Sequence, residues 1–458
     1  AFDARYWPSS IDVSPSLFHW DYEKDDVGNI STISQALPVG TPVRSYGYQD
    51  CQYFLNSAEG PWLGPLAWTY DKIGNRTEEW VGTLFRGFTY QQNSTSTGST
   101  ARLTSVCAQV DEVCPVLRTY TSDAGGYLEA VQAGANLIDF EFDAAGHLSS
   151  VDRGDKYRLE NSYDGRGFLA TAARTEPVSA ISPTYSSQGL LFSLLRSWQK
   201  VERHNVLYFA GRPVATWKNI AGDKATTTYL TTDHLGTPVF ALNQAGAEYW
   251  KGGLEPFGRD WQEGTPNDML TKGIFLRFPG QWDDPDFTDP TLGADIYYNV
   301  HRWYEQQTGR YTRPDPLGLR SGAHLYDYVF NNPLRFSDSL GLKAAQACGF
   351  TWVGALGAVG DMNNQVIFCA PCECGPKKIN GVGFGDDPPP PPGVEPPAGI
   401  ASVPSTPSIP FTTYDRCRCS SNDKVYVNVQ TRRSLIPSQF FNNAGKVSLD
   451  YDCPREKK

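Results

Sequence analysis

No stretch of the 458-residue sequence reaches the roughly 18–20 continuous apolar residues that a membrane-spanning helix needs. The nearest approach, residues 352–359, is short and broken by glycine, so a soluble chain with no membrane span is expected. A surplus of basic residues is also missing: Lys and Arg total 40 against 50 Asp and Glu, a net charge of -10. Affinity for phosphate backbones depends on such a surplus, so nucleic acid is not an expected partner of the whole chain. Cysteine is absent from residues 115–347. It clusters instead as Cys51, Cys107 and Cys114 near the start and Cys348, Cys369, Cys372, Cys374, Cys417, Cys419 and Cys453 near the end. Both groups are odd in number, so if all ten pair, at least one bridge joins the two ends. Finally, the chain starts at Ala1 with no charged-then-apolar leader, as expected if a signal or a larger N-terminal region has been removed.

What the sequence does contain is aromatic residues (13%), 43 Gly and 33 Pro, a composition suited to many short strands joined by tight turns. Sequons stand at Asn29, Asn75 and Asn93, candidate glycosylation sites of a secreted, extracellular protein.

Internal repetition is the strongest signal. Trp68-Thr-Tyr-Asp-Lys-Ile-Gly-Asn-Arg76, Phe140-Glu-Phe-Asp-Ala-Ala-Gly-His-Leu148 and Asn161-Ser-Tyr-Asp-Gly-Arg-Gly-Phe-Leu169 share an aromatic, an Asp, two residues and a Gly, and a looser copy spans residues 120–128. Each reads as a hairpin in which Asp binds the following backbone and Gly takes a positive φ. One hairpin cannot bury its own apolar face, so neighbouring copies must pair edge to edge. These copies resemble the YD repeats of the RHS family, which implies an all-β strip of sheet spiralling into a shell. Later turns, Asp233-His-Leu-Gly236 and Glu255-Pro-Phe-Gly258, are similar to the run that leads into the RHS-associated core. His234, beside Asp233, reads as a hydrogen-bonded structural residue.

Residues 277–342 resemble that core. The resemblance rests on Arg277-Phe-Pro-Gly-Gln281, Tyr297-Tyr-Asn-Val-His-Arg-Trp-Tyr304, Thr308-Gly-Arg-Tyr-Thr-Arg-Pro-Asp-Pro-Leu-Gly-Leu319 and Asp338-Ser-Leu-Gly-Leu342. In bacterial RHS toxins and the C subunits of insecticidal toxin complexes the core acts as an aspartyl autoprotease. The resemblance implies catalytic Asp315 and Asp338, a supporting Arg302, and a cut between Leu342 and Lys343. Two carboxyls held together suit this chemistry, because one stays protonated as acid while the other activates water. Both Asp-x-x-Gly-Leu pieces can equally be turns with Asp capping. Ser339 stands where the family has proline, so φ there is not fixed by a ring, and the loop is expected to sit differently and cut slowly or not at all.

The tail differs in character. It carries 12 basic and 10 acidic residues, no His, and a polyproline-like spacer at residues 386–397. Lacking His, it lacks the commonest general base. Its Cys-x-x-Cys-x-Cys at 369–374 forms no paired zinc knuckle, so disulfides are expected rather than a metal, and no cofactor is implied. The expected division is an aromatic N-terminal segment (1–60), a YD-repeat shell (61–258), the core (259–342), a Cys-rich segment (343–385), a Pro-rich linker (386–410) and a C-terminal segment (411–458). Two functions follow. One is a shell that carries its own C-terminal tail as toxin cargo, as part of a larger toxin or secretion complex or a self-assembly. The other is a non-enzymatic extracellular scaffold or adhesion protein built on the same fold.

Overall fold

A computed structural model describes most of residues 1–346, leaving out 36–42, 263–271 and shorter pieces, and beyond 346 describes only strand backbone. The chain divides into two compact units, residues 1–48 with 54–366 and residues 49–53 with 367–458. In the second unit the strand Lys424–Leu435 pairs antiparallel with Ile409–Cys419, Gln439–Phe441 and Lys446–Asp452, and Lys378–Ile379 adds a further edge.

The first unit is built on a 23-stranded antiparallel sheet running from Ser10–Val13 to Asp260–Gln262, with each strand paired to the next in sequence. The expected break at residue 60 is not a break in this sheet, since Ser57 pairs with Ala67. Nor is the one at 258, since Leu254 pairs with Asp260. The aromatic N-terminal segment is therefore ordinary sheet, because its strands alternate buried and exposed residues as the repeats do.

The repeat's chemistry is visible at Asp71. Its carboxylate accepts the backbone N–H of Ile73 (3.0 Å) and Asn75 (2.9 Å), its own N–H and carbonyl pair with Asn75 and Gly74, and Gly74 takes φ +94°. The same five-residue turn recurs at 25–29, 123–127, 143–147, 164–168 and 233–237. Ser186 and Asn243 replace the aspartate and accept the same amides, and Glu255 opens a further turn closed by backbone bonds and by its ion pair with Arg259 at 3.4 Å. A second device joins successive strands. Tyr48, Tyr70, Tyr90 and Tyr163 each donate their hydroxyl to the carbonyl of the first residue of the preceding strand, respectively Ile30, Leu55, Arg76 and Leu148, at 2.8–2.9 Å.

The first strands also cover the last ones. Phe18 stacks on Phe240 at 5.0 Å and joins Trp20, Ile33, Leu55 and Trp68 in one apolar cluster with Val239 and Phe257. Pro238–Leu242 is consequently buried on both faces, matching its nearly continuous apolar sequence.

Residues 274–344 form a strap with little regular structure of its own, laid along the row of turns. Its side chains bind turn backbone directly: Asn331 to Gly74 O (2.9 Å), Tyr326 to Gly126 O (2.8 Å), Arg313 to Gly146 O, and Tyr298 from Leu169 N (2.6 Å). Half-buried His234 bonds Leu334 O at 2.8 Å through Nε2, a structural contact of the kind expected of it.

Tyr163 serves both layers, donating to Leu148 O and accepting Trp303 Nε1 of the strap (3.2 Å). Tyr163→Phe leaves two buried groups without that hydroxyl, whereas Tyr48→Phe leaves only Ile30 O. The expected losses are about 2–3 kcal/mol and about 1 kcal/mol. Urea unfolding midpoints of the two variants check the order.

Candidate active site

The three residues marked for self-cleavage lie far apart in sequence and meet in the strap. Arg302 opens the strand Arg302–Glu305, which pairs with Arg310–Tyr311, and Asp315 follows that second strand. Asp338 follows Phe336–Ser337, itself paired with Ala345–Gln346 beyond the expected cut. All three side chains are buried. One nitrogen of Arg302, Nη2, contacts both carboxylates: Asp315 Oδ2 at 2.8 Å and Asp338 Oδ2 at 3.0 Å.

The same guanidinium reaches the cleavage loop, with Nε donating to Gly341 O at 2.5 Å. Asp338 Oδ1 accepts the N–H of Leu342 at 3.0 Å. The residue preceding the expected cut is thus gripped at the peptide on its N-terminal side by both members of the Arg302–Asp338 ion pair. Lys343, on the other side of the bond, lies outside the described residues.

Burial pushes the Asp315 carboxyl up from its ordinary range, and Arg302 opposes this without cancelling it. Asp315 Oδ1 accepts Leu317 N (2.8 Å) and its carbonyl accepts Gly318 N–H, so it is also a turn-capping residue. The turn and catalytic readings of this motif are one geometry, in which the turn presents the carboxyl. Asp338 receives three donors: Arg302, the Leu342 amide and the hydroxyl of Tyr311 at 2.9 Å.

Several residues of the site carry no role in the sequence reading although they sit inside the motifs quoted there. Asn299 donates to Tyr311 Oη (2.7 Å) and to Asp338 O (2.9 Å). Gly341 has φ +67°, and a methyl there would meet Asn299 O; Gly280 has φ +85°, and a methyl there would run into the carbonyl of Ser339. These glycines let two backbones close on the cleavage loop. Ser339 itself is exposed, and the loop is held by the Leu340 O contact with His301 N–H (3.1 Å) and by Arg302 rather than by a proline ring.

The remaining candidates fall elsewhere. Cys107 and Cys114 form a disulfide across the tip between adjacent strands. Cys51, Cys348, Cys369, Cys372, Cys374 and Cys453 lie outside the described residues, and Cys417 and Cys419 lie on the strand Ile409–Cys419, described as backbone only. Asn29 and Asn75 are corrected as glycan acceptors: both are buried, and their amides bond Asp25 and Asp71 at 2.8 Å within the turns. Asn29 also receives Asn332 and Arg335 of the strap, both at 3.1 Å, so a sugar there is incompatible with the folded chain. Asn93 is half-buried and keeps its candidacy. Among the described residues no cluster of His, Cys, Asp and Glu is arranged to hold a metal.

Comparison with known proteins fits this architecture. The chain is 33% identical over 132 residues to Toxin protein Tse5 of Pseudomonas aeruginosa, covering 29% of this chain and 9% of that one. It is 25% identical over 255 residues to Double-stranded DNA deaminase toxin A of Burkholderia cenocepacia, covering 46% and 17%. It therefore matches only a small part of the length of these relatives. A crystal structure of TcdB2-TccC3-TEV aligns with 72% of this chain and 18% of its own, at 17% identity and a TM-score of 0.49. The model of the teneurin YD-shell matches residues 65–334, more than half of the sequence, from the strand Leu66–Tyr70 through most of the strap, and the chain belongs to that YD-shell family.

Proposed function

We propose that this chain is part of a secreted shell protein that carries an effector module behind residue 342 and releases it by hydrolysing its own Leu342–Lys343 bond. The observation that carries this reading is that buried Arg302 joins buried Asp315 and Asp338, while Arg302 also binds Gly341 O and Asp338 the Leu342 amide. The toxin names of the relatives support the effector part, with the tail as cargo and a larger toxin complex as the setting.

The chemistry is general acid–base hydrolysis. Asp338 takes a proton from water as the water oxygen adds to the Leu342 carbonyl carbon. Asp315, whose carboxyl burial pushes up, delivers its proton to the departing Lys343 nitrogen. The products are a carboxyl at Leu342 and an amine at Lys343. Because the bond belongs to the same chain, no open substrate cleft is needed. Positioning of the loop replaces substrate binding.

Expressed chain should therefore appear, by intact mass after denaturation, as two fragments divided after Leu342. Asp315→Asn and Asp338→Asn should each slow the cut by at least about 100-fold. A native chain that stays whole at 458 residues would sink the proposal. The rate should be bell-shaped in pH, as general acid–base hydrolysis by two carboxyls requires, with the fall at high pH set by loss of the Asp315 proton.

Gly280→Ala tests the positioning argument separately. The added methyl meets Ser339 O and the backbone there has φ +85°. Displacing the loop by about 1 Å should slow cleavage on the order of 100-fold with both carboxyls intact. A time course of fragment appearance reads it out.

A further inference from the structure

We propose that Tyr311 is a positioning residue for this self-cleavage, its hydroxyl, aimed by Asn299, holding Asp338 as the carboxylate so that Asp315 carries the proton. The inference rests on the self-cleavage reading and adds to it an assignment of which aspartate is base and which is acid.

The geometry is directional. Asn299 Nδ2 donates to Tyr311 Oη at 2.7 Å, so that oxygen's own hydrogen is free to point elsewhere, and Asp338 Oδ2 lies 2.9 Å away. An amide nitrogen can only donate, which makes the order Asn299 to Tyr311 to Asp338. Asn299 Nδ2 also contacts Asp338 O at 2.9 Å, fixing the backbone from which the carboxylate projects. Tyr311 is fully buried, and burial first, with the Asp338 charge next, holds its phenol far on the protonated side of its ordinary range. It is therefore a permanent donor at any pH at which the protein is folded.

Tyr311 also orients the guanidinium. Arg302 lies 3.5 Å from the centroid of its ring, a cation–π contact that restrains the plane of the guanidinium. In that plane Nη2 meets both aspartates while Nε meets Gly341 O. One side chain thus sets the charge-bearing partner of Asp338 and supplies a second donor to the same oxygen.

The two aspartates are made unequal by this arrangement. They share Arg302 Nη2, but the hydroxyl reaches only Asp338. Asp315 has a turn amide on Oδ1, Arg302 and the Ser321 hydroxyl favouring its charge, and burial acting against that charge more strongly than they do. The other titratable groups acting electrostatically on Asp338 do not reverse the order. His301 is drawn down to about 4, chiefly by burial, and is neutral near pH 7, and the Tyr328 phenol is held protonated by burial.

The test is the pH profile of cleavage in the full chain. Tyr311→Phe keeps the ring beneath Arg302 and removes the hydroxyl. The acid limb of the profile should move upward by about one pH unit, the scale of one lost hydrogen bond to a carboxylate. Asn299→Ala, which keeps the hydroxyl but loses its orientation, should move it in the same direction by less. Tyr304→Phe is the structural control. It removes the buried Tyr304 contact to Phe257 O (2.8 Å) in the same aromatic cluster and should lower the unfolding midpoint without moving the acid limb.

An unchanged acid limb in both Tyr311→Phe and Asn299→Ala, in chains that cleave, overturns the assignment while leaving self-cleavage standing. A shift equal to that of Tyr304→Phe overturns it as well, because it reduces Tyr311 to packing. A native chain that never cleaves removes the reading on which the assignment rests, and the native control distinguishes that outcome from the others.

Discussion

The whole arrangement depends on one local interaction: a carboxylate or its substitute accepting two backbone amides while a glycine three residues later turns the chain back. Asp71 and Gly74 show it in full, and Asp25, Asp143, Asp164 and Asp233 repeat it. Because the turn consumes its own amides, it leaves carbonyls such as those of Gly74, Gly126 and Gly146 facing the strap. The strap has almost no regular ladder, so its buried polar side chains must be satisfied by those carbonyls. Remove the regular spacing of the turns and the strap loses its partners along with its path.

That dependence explains why the proposed self-cleavage centre can be built from short strands and loops. Tyr298 is tied to Leu169, Trp303 to Tyr163, and Arg313 to Gly146, so the short hairpin bearing Arg302 is anchored on both sides by the sheet. Asp315 and Asp338 then arrive on loops whose own Asp-x-x-Gly turns repeat the geometry of the sheet's hairpins. A turn that elsewhere only reverses the chain here presents a carboxyl to a guanidinium. Burial supplies the rest, because in a poorly solvated site two carboxylates beside one cation are driven toward a shared proton.

Much of this was legible in the residues. The aromatic–Asp–x–x–Gly spacing marked hairpins at Asp71, Asp143 and Asp164, and the paired Asp-x-x-Gly-Leu motifs marked Asp315 and Asp338, because a tight turn accepts few residue types. The turns at 25–29 and 186–190 were less visible. The first carries the Asp-x-x-Gly signal in a segment without a neighbouring copy, and the second substitutes Ser186, whose hydroxyl accepts the same amides. The sequons at Asn29 and Asn75 misled for a related reason. Asn after Gly in such a turn is a structural amide that closes on the aspartate, and nothing in a three-residue motif distinguishes that from an exposed acceptor.

The sequence by itself determined the fold class and the repeat, since turn chemistry and aromatic spacing act over a handful of neighbouring residues, while Arg302, Asp315 and Asp338 were singled out by resemblance to the RHS-associated core. It also determined that the tail differs in composition from what precedes it. Only the tertiary structure decided that the strands from Ser10–Val13 to Leu55–Glu59 are part of the same sheet, that Phe18 covers Phe240, and that Asn299 and Tyr311 stand behind Asp338. These are contacts between segments separated by up to more than two hundred residues, or between neighbours whose facing depends on how a strap is laid. Periodicity carries information about which face of a strand is buried. It carries none about which distant hydroxyl will meet a buried carboxylate, because that distance is set by packing the strap against the turns and not by any residue alone.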